Sequence, residues 1–225
     1  GWEDKNFQVV NKLFEISTRV AEGSKTRDFG FQHASCIVQG AVEKIHEIKH
    51  RSQATSALNA ACERVGPKYV VSCVHQKAAT HKNPKVMSEC LLWMTKTIEQ
   101  FGYSQIDNGG SIVTWMNEDL GSSNPSVKAQ ALALLGECHA QVGPNPFKSL
   151  NNTLKPALVT SLQEMFAKRP VDPSYEPVKT VSIDLKDLPR MEDTSVAASV
   201  DQEEVLPHGE ENIDVVEDVI ADRVD

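Results

Sequence analysis

Lysine and arginine side chains recur at matched positions in successive short polar stretches of this 225-residue chain. Lys49 and Lys85 share one recurring position, and Arg51 and Lys128 share a second. Brought into line by a repeating fold, such cations would suit binding to an acidic protein surface. A single exposed lysine more often serves solubility alone, so the repeated register is the feature that favours a binding role.

Little in the sequence supports catalysis or cofactor binding. The seven histidines and five cysteines show neither an HExxH pattern nor paired Cys/His spacing, which argues against a metal site. Gly109-Gly110 follows no strand pattern and lies in no GxGxxG or Walker motif, so no phosphate loop is predicted. Cys73 and His75 are expected to point apart on one short helix. We predict a protein that is not an enzyme and that has no cofactor, no small-molecule substrate and no nucleic-acid partner.

Two segments that carry these cations repeat each other at an offset of 41 residues without a gap. One runs from Asn83-Pro84 to Phe101-Gly102, and the other from Asn124-Pro125 to Val142-Gly143. Asparagine can cap a helix N-terminus, proline suits the first helical position, and glycine suits the left-handed residue after the last turn. Apolar residues recur between these signals at the helical period, so each segment predicts an amphipathic helix with one buried face.

Further copies of this helix define the predicted architecture. A third copy ends at Gly66, and a fourth covers Asn6 to about Glu22. The shorter apolar helices that precede the later copies span 31–45, 69–79 and 111–120, with a last pair near 153–167. Helix pairs at a period of about 40 residues indicate an all-α HEAT-repeat solenoid, because such pairs bury their apolar faces only by stacking.

The helical period also predicts which side chains face the core. They include Phe7, Val10, Leu13, Phe14 and Val20 in the first helix, and Val127, Ala131, Leu134, Leu135, Cys138 and Val142 in the copy that ends at Gly143. Trp93 and Trp115 also lie on inward faces. The histidines are expected at the surface or in loops, and the cysteines as reduced thiols that mostly face inward.

Composition divides the chain after Arg169. Residues 1–169 carry 19 basic and 15 acidic residues, whereas residues 170–225 carry 4 basic and 16 acidic ones. The second stretch is also broken by prolines and nearly free of aromatic residues, a composition too poor in apolar surface to offset the entropy of ordering. We therefore predict a folded domain over 1–169 and an acidic disordered tail over 170–225. The sequence shows no membrane-spanning run and no signal-like leader, which predicts an intracellular protein without membrane contact.

Three runs of residues carry a resemblance to a known family. They are Gly1-Trp2-Glu3-Asp4-Lys5-Asn6-Phe7-Gln8-Val9, then Lys82-Asn83-Pro84-Lys85-Val86 with the later Trp93 and Gln100-Phe101-Gly102, and finally Asn124-Pro125-Ser126-Val127-Lys128. In this order and spacing, over most of residues 1–167, they resemble the TOG domains of the large microtubule polymerases. The similarity is closest to a middle TOG domain.

In TOG domains six HEAT repeats form a flat paddle whose intra-repeat loops contact the tubulin heterodimer. The resemblance therefore implies a module that binds tubulin or the microtubule lattice and promotes microtubule growth, located in the cytoplasm on microtubules, the spindle or the centrosome. The residues it implies for tubulin binding are Trp2, Lys5, Lys49, Arg51, Lys82, Asn83, Lys85, Asn124 and Lys128. The resemblance gives no counterpart in this sequence for the first repeat and half of the second, and we therefore expect a TOG domain that is N-terminally truncated relative to the family.

Two alternatives remain open at the level of sequence. A generic HEAT-repeat scaffold would bind a protein or peptide on its concave helical face instead of on its loops. For the acidic tail, a solvated spacer is the simpler interpretation, and competition of its acids with tubulin for the basic loops is the sharper one.

Overall fold

Helices account for nearly all regular structure in the computed structural model, which describes residues 1–24, 28–107, 109–179 and 181. All of these residues belong to one compact unit that spans residues 1–189. In chain order the helices are α1 Phe7–Gly23, α2 Phe31–Lys44, α3 Ile48–Val65, α4 Pro67–Ala79, α5 Pro84–Phe101, α6 Tyr103–Ile106, α7 Ser111–Leu120, α8 Pro125–Val142, α9 Leu150–Thr153 and α10 Pro156–Lys168. A single 3-10 turn, Asn145–Phe147, lies between α8 and α9. The described residues contain no strand, in agreement with the predicted all-α class.

The repeated helices α5 and α8 begin and end where their sequence signals predicted. Asn83 Oδ1 and Asn124 Oδ1 each accept a hydrogen bond from the backbone N–H two residues further on, at 3.0 and 2.9 Å. Gly102 and Gly143 follow the two helices with φ of +85° and +74°, a region that strains any residue with a Cβ. The same three signals, asparagine, proline and glycine, therefore set both pairs of helix boundaries.

The helices form two rows. One row contains α1, α3, α5, α8 and α10, and the other contains α2, α4 and α7. In the first row α1 packs against α3, α5 against α8, and α8 against α10, while each of α2, α4 and α7 packs against the helix that follows it. Apolar residues from both rows join in one core cluster. This is the stacked arrangement of helix pairs that the repeat pattern predicted.

Hydrogen bonds at the C-terminal ends of the first row show that its helices run in parallel. Arg64 Nε donates to Ala21 O at 2.7 Å and joins the end of α3 to the end of α1. Gln141 Nε2 donates to Ile98 O at 3.1 Å and joins the end of α8 to the end of α5. In both bonds the partners lie 43 residues apart, about one repeat, so equivalent positions of neighbouring repeats meet in the stack.

Three side chains that were predicted to face the core are exposed instead. Phe7 and Val20 on α1 keep 47% and 46% of their surface accessible, and Val142 at the end of α8 keeps 37%. Within the described residues α1 packs chiefly against α3, so side chains on its far side meet solvent. Val142 is the last residue of its helix, where the chain turns away from the core. Val10 and Phe14 are fully buried, as predicted.

The expectation that the histidines lie at the surface or in loops is wrong for three of them. His50, His75 and His139 are buried, and each has a polar partner. His75 Nε2 lies 3.0 Å from Asp119 Oδ2, and the His75 ring stacks on Trp115 with centroids 4.5 Å apart. A flat imidazole ring packs well among apolar groups once its nitrogens are hydrogen-bonded, which is why these positions tolerate histidine.

The tryptophans and cysteines follow their predictions in most cases. Trp93 is buried, and its indole Nε1 donates to Asn59 Oδ1 at 3.0 Å. Trp115 is only half-buried, since it covers His75 at the margin of the core. All five cysteines are free thiols: Cys62, Cys90 and Cys138 are buried, Cys73 is partly buried, and Cys36 is exposed. Burial raises the pKa of Cys90 to about 12, so this thiol is a poor nucleophile at neutral pH.

The chain after α10 packs back over the helices as a C-terminal strap, formed by residues 170–179 and 181. Asp172 N donates to Ala140 O at 2.8 Å, and Lys179 N donates to Gln100 O at 2.9 Å. Both acceptors lie in the last turn of a helix, where backbone carbonyls lack a partner within the helix. The strap therefore runs along the C-terminal ends of the first row and satisfies carbonyls of α8 and α5.

Two side chains attach the strap more firmly. Tyr175 Oη donates to Glu99 O at 3.0 Å, again in the last turn of α5. Lys179 Nζ pairs with Glu63 near the end of α3 and lies 5.7 Å from the centroid of the Phe101 ring. Together with the backbone bonds, these contacts tie the strap to three successive repeats.

The predicted disorder of residues 170–225 is wrong for the strap. Its composition is indeed poor in apolar groups, but its hydrogen bonds go to helix ends that composition alone does not reveal. The rest of the predicted tail, residues 182–225, lies outside the described residues, and the prediction stays untested there.

Candidate functional site

The N-terminal ends of the first-row helices lie side by side, opposite the edge that the strap follows. Three bonds join successive helices at these ends: Asn11 Nδ2 to Lys49 O at 3.1 Å, Arg51 Nη2 to Glu89 Oε1 at 2.5 Å, and Ser88 Oγ with Ser126 Oγ at 2.7 Å. The turns that lead into α1, α3, α5 and α8 therefore form one continuous loop edge. We number them along the chain as turn 1 (residues 1–6), turn 2 (45–51), turn 3 (80–85) and turn 4 (121–128).

Most of the cations implied by the resemblance are available on this edge. Lys5 in turn 1 and both Lys82 and Lys85 in turn 3 are exposed, and Lys128 in turn 4 is half-buried. The repeat pattern predicted that these residues, distant in sequence, would share one rim, and the structure places them there.

Lys49 in turn 2 shares its charge with a neighbouring carboxylate. Its Nζ lies 3.3 Å from Glu47 Oε2, and Lys44 Nζ lies 3.3 Å from Glu47 Oε1. Burial alone would raise the pKa of Glu47, but the two lysines outweigh burial and leave that pKa below its usual value. Glu47 is therefore ionised at neutral pH and offsets part of the positive charge of turn 2, although the Lys49 side chain remains 53% exposed.

Arg51 is less available than the sequence suggested. Its guanidinium pairs with Glu89 on α5, and its Nε donates to Ile45 O at 3.4 Å. The side chains of Arg51 and Glu89 are 39% and 16% exposed. Arg51 thus connects turn 2 to the next repeat instead of projecting freely from the edge.

Trp2 packs inward more than a contact residue would. It is half-buried, and its ring lies 4.6 Å from the ring of Phe14, centroid to centroid. A Cβ added to Gly40 on α2 would lie only 2.1 Å from the Trp2 ring, so glycine is required for this approach. Trp2 therefore braces turn 1 against α1 and α2.

Asn83 and Asn124 use their side-chain oxygens to cap α5 and α8. Asn124 Oδ1 accepts from both Ser126 N and Val127 N, at 2.9 and 3.2 Å. Asn83 is exposed and Asn124 is half-buried. Both residues shape their turns, whatever else they contact.

Two features of the edge were missed by the sequence analysis. Glu43 at the end of α2 lies 3.2 Å from both Lys77 Nζ and His81 Nε2, and so links the second-row helices to turn 3. Burial would raise the pKa of Glu43, but hydrogen bonds from these two residues leave it below its usual value. Ile48, the first residue of α3, is 82% exposed beside Lys49. Its helical phase, well away from the buried face of α3, is the sequence signal that could have identified it.

A recess lies between turns 3 and 4. It has a volume of about 290 Å³ and is lined by Pro84, Met87, Glu118, Ser122 and Val127 among others.

Within the part of the chain that the structure describes, no group of three or more histidine, cysteine or acidic residues is placed to hold a metal ion. Over the same residues, no helix is both long and apolar enough to cross a bilayer.

A stack of helix pairs at a period of about 40 residues, with helix N-termini and basic turns along one edge, defines an all-α repeat domain of the HEAT type. The sequence model of the XMAP215/Dis1/CLASP TOG domain matches residues 4–166 of this chain. The chain belongs to this family, which confirms the resemblance inferred from its loops.

Individual relatives agree with this assignment. Protein MOR1 of Arabidopsis thaliana is 34% identical over 181 residues, which are 80% of this chain and 9% of MOR1. The chain therefore spans about a tenth of the length of that relative. The solved TOG3 domain of Drosophila melanogaster Mini spindles superposes with a TM-score of 0.73 at 27% identity, over 80% of this chain and 76% of that one. A solved array of TOG domains from tubulin-recruiting microtubule polymerases has a TM-score of 0.66 over 92% of this chain and 43% of that one, and at 16% identity it shares the fold.

Proposed function

We propose that this TOG domain binds the tubulin heterodimer, free or in the microtubule lattice, through its loop edge. It would act by binding, not catalysis, as one module of a cytoplasmic microtubule polymerase that promotes microtubule growth. One observation carries the proposal: four parallel helix N-termini and their lysines lie along a single edge. The polymerases whose solved TOG arrays share this fold recruit tubulin, which supports the same partner here.

Two sources of positive potential coincide at the loop edge. Each helix N-terminus contributes roughly half a positive charge from its aligned peptide dipoles, and the four first-row helices present these ends together. Lysine side chains add full charges in every turn, while Glu3 and Asp4 in turn 1 and Glu47 in turn 2 offset some of them. The net attraction for an acidic partner is therefore strongest at turns 3 and 4, where Lys82, Lys85 and Lys128 lie.

The implied site residues divide into two groups by their surroundings. The proposed contact residues are the lysines, Lys5, Lys49, Lys82, Lys85 and Lys128. Trp2, Asn83 and Asn124 hold their turns in shape by ring packing and helix capping, and they can contact tubulin only with the atoms that remain exposed. Arg51 belongs with this second group because it is paired with Glu89. This division follows from the side chains that already hold a turn through ring packing, helix capping or an ion pair to the next repeat.

Charge reversal at turns 3 and 4 tests the proposal. The Lys85→Glu/Lys128→Glu double variant should weaken tubulin binding at least about tenfold, because each reversal replaces attraction by repulsion worth roughly 1 kcal/mol at an exposed site. Binding is measured by sedimentation velocity of the chain with tubulin, and folding by circular dichroism. The matched control is Lys96→Glu/Lys168→Glu, which makes the same charge change at exposed residues away from the loop edge. Unchanged tubulin binding by the folded edge variant would count against the proposal.

A groove between α2 and α4 favours the alternative of a peptide-binding scaffold. It has a volume of about 440 Å³ and is lined by Val38, Cys73 and Lys77 among others. A crosslinking map of the bound partner separates the two functions. Crosslinks through Lys49 or Lys85 support tubulin recognition by the loop edge, and crosslinks confined to Lys77 beside the groove support the scaffold.

A further inference from the structure

A polar bond between two side chains bridges each step along the loop edge, from α1 to α3, from α3 to α5 and from α5 to α8. The bonds are His50 Nδ1 with Asn11 Oδ1 at 2.6 Å, Arg51 Nη2 to Glu89 Oε1 at 2.5 Å, and Ser88 Oγ with Ser126 Oγ at 2.7 Å. Their partners lie 39, 38 and 38 residues apart, so the same kind of bridge recurs once per repeat. Apolar packing is not directional, whereas a hydrogen bond fixes both distance and angle, so these bridges set how far apart the turns stand.

The step from α3 to α5 depends most on such a bridge. In the first row α1 packs closely against α3 and α5 against α8, but α3 and α5 approach each other less closely than either of those pairs. Buried Trp93 on α5 donates to Asn59 Oδ1 on α3 and so bridges this step. At the loop edge of the same step, the ion pair between Arg51 and Glu89 joins turn 2 to α5.

The surroundings of this ion pair fit a fixed bridge. The Glu89 side chain is only 16% exposed, so the pair is partly shielded from water and bound more firmly than a surface pair. Arg51 also donates to Ile45 O in its own turn, which ties the guanidinium to turn 2 at the same time as to α5. Two of the five guanidinium N–H donors, one on Nε and one on Nη2, are therefore already engaged within the domain.

We propose that Arg51 and Glu89 are positioning residues: they clasp turn 2 to α5 and so hold Lys49 and Lys85 at the separation that the partner surface requires, without contacting the partner themselves. This inference rests on the proposed function and reassigns Arg51, which the family resemblance implies as a contact. The mechanism is preorganisation, because a loop edge that is already in register loses less freedom on binding.

Exchange of the two charges separates a clasp from a contact. The proteins are the unaltered 225-residue chain, Arg51→Glu, Glu89→Arg and the double exchange Arg51→Glu/Glu89→Arg. If the ion pair is a clasp, both single variants should bind tubulin about tenfold more weakly. The tubulin affinity of the double variant should then recover to within about threefold of that of the unaltered chain. A contact role predicts the opposite: Glu89→Arg binds at least as well as the unaltered chain, because it adds a cation, and the double variant stays as weak as Arg51→Glu. That result would overturn the proposal.

A second readout of the same four proteins needs no tubulin. Their melting temperatures form a double-mutant cycle, in which the clasp predicts that the double exchange melts higher than either single variant. Strictly additive shifts of the melting temperature would overturn the clasp, whatever the tubulin-binding measurements give. If the unaltered chain fails to bind tubulin while the cycle shows coupling, the clasp stands and the proposed function fails.

Discussion

Replacement of Gly40 by alanine tests how turn 1 of the loop edge is held. Gly40 lies inside α2 directly beneath Trp2, and an added Cβ would lie 2.1 Å from the nearest ring atom. Ordinary carbon–carbon contact needs about 3.5–4 Å, so the indole must move by roughly 1.5 Å or leave its site. Trp2 lies between α2 and Phe14, so its movement also disturbs the contact between the Trp2 and Phe14 rings.

Two opposing free-energy changes decide the outcome. Displacement of a half-buried tryptophan returns on the order of 100 Å² of apolar surface to water and costs about 2–3 kcal/mol. Alanine in place of glycine inside a helix recovers about 1 kcal/mol. The net effect on the free energy of unfolding is a loss of about 1–2 kcal/mol, which for a domain of this size lowers the melting temperature by about 2–8 °C.

The sign of the effect should reverse when Trp2 is absent. In a Trp2→Ala background the three nearest atoms that the new Cβ would meet are removed, so Gly40→Ala should raise the free energy of unfolding by about 1 kcal/mol. Thermal or urea unfolding of the four proteins in this cycle measures the change. The matched control is Gly23→Ala, where an added Cβ meets nothing within 4 Å and no dependence on Trp2 is expected. If Gly40→Ala stabilises both backgrounds equally, Trp2 does not rest on Gly40 and the reasoning fails.

Four further predictions follow from the strap, the loop edge, a buried histidine and the acidic tail. Tyr175→Phe removes hydrogen bonds to the carbonyls at the end of α5 and should lower the free energy of unfolding by about 1 kcal/mol in urea titrations. Ile48→Asp should weaken tubulin binding at least about tenfold, whereas the control Val178→Asp, at an equally exposed residue of the strap, should leave it unchanged. Burial lowers the pKa of His50 below its ordinary 6.5, so the unfolded chain binds a proton at this residue more readily than the folded chain does. The melting temperature should therefore decrease as the pH is lowered from 7.5 to 5.5, and His50→Gln should make that decrease smaller. Removal of residues 182–225 should leave tubulin affinity unchanged at low salt if that acidic stretch is a spacer, and a gain in affinity would instead show that its acids compete for the loop edge.

The strap and the loop edge occupy opposite ends of the first-row helices. The strap bonds to carbonyls in the last turns of α5 and α8, whereas the lysines of turns 3 and 4 flank the first turns of the same helices. Within the described residues the strap therefore leaves the loop edge uncovered. This separation lets variants of the strap change stability without touching the proposed tubulin surface, which makes Val178 a suitable control for Ile48.

The sequence by itself determined the helices, their period and the order of the turns. Caps, helix-breaking glycines and apolar periodicity act within a few residues, so Asn83, Gly102, Asn124 and Gly143 could be assigned from the chain alone. The same local signals indicated that turns one repeat apart would share an edge, because stacking superposes equivalent positions. The family resemblance rested on this spacing and was confirmed.

Only the tertiary structure decided which of these residues are free to bind and which hold the fold together. Arg51 pairs with a carboxylate 38 residues away, and Tyr175 bonds to a carbonyl 76 residues away. Lys179 reaches Glu63 across 116 residues, and this contact ties down a strap that composition predicted to be disordered. Periodicity and composition describe a residue together with its near neighbours in the chain. Partners at such separations are set by how the repeats stack, and that stacking exists only once the whole domain has folded.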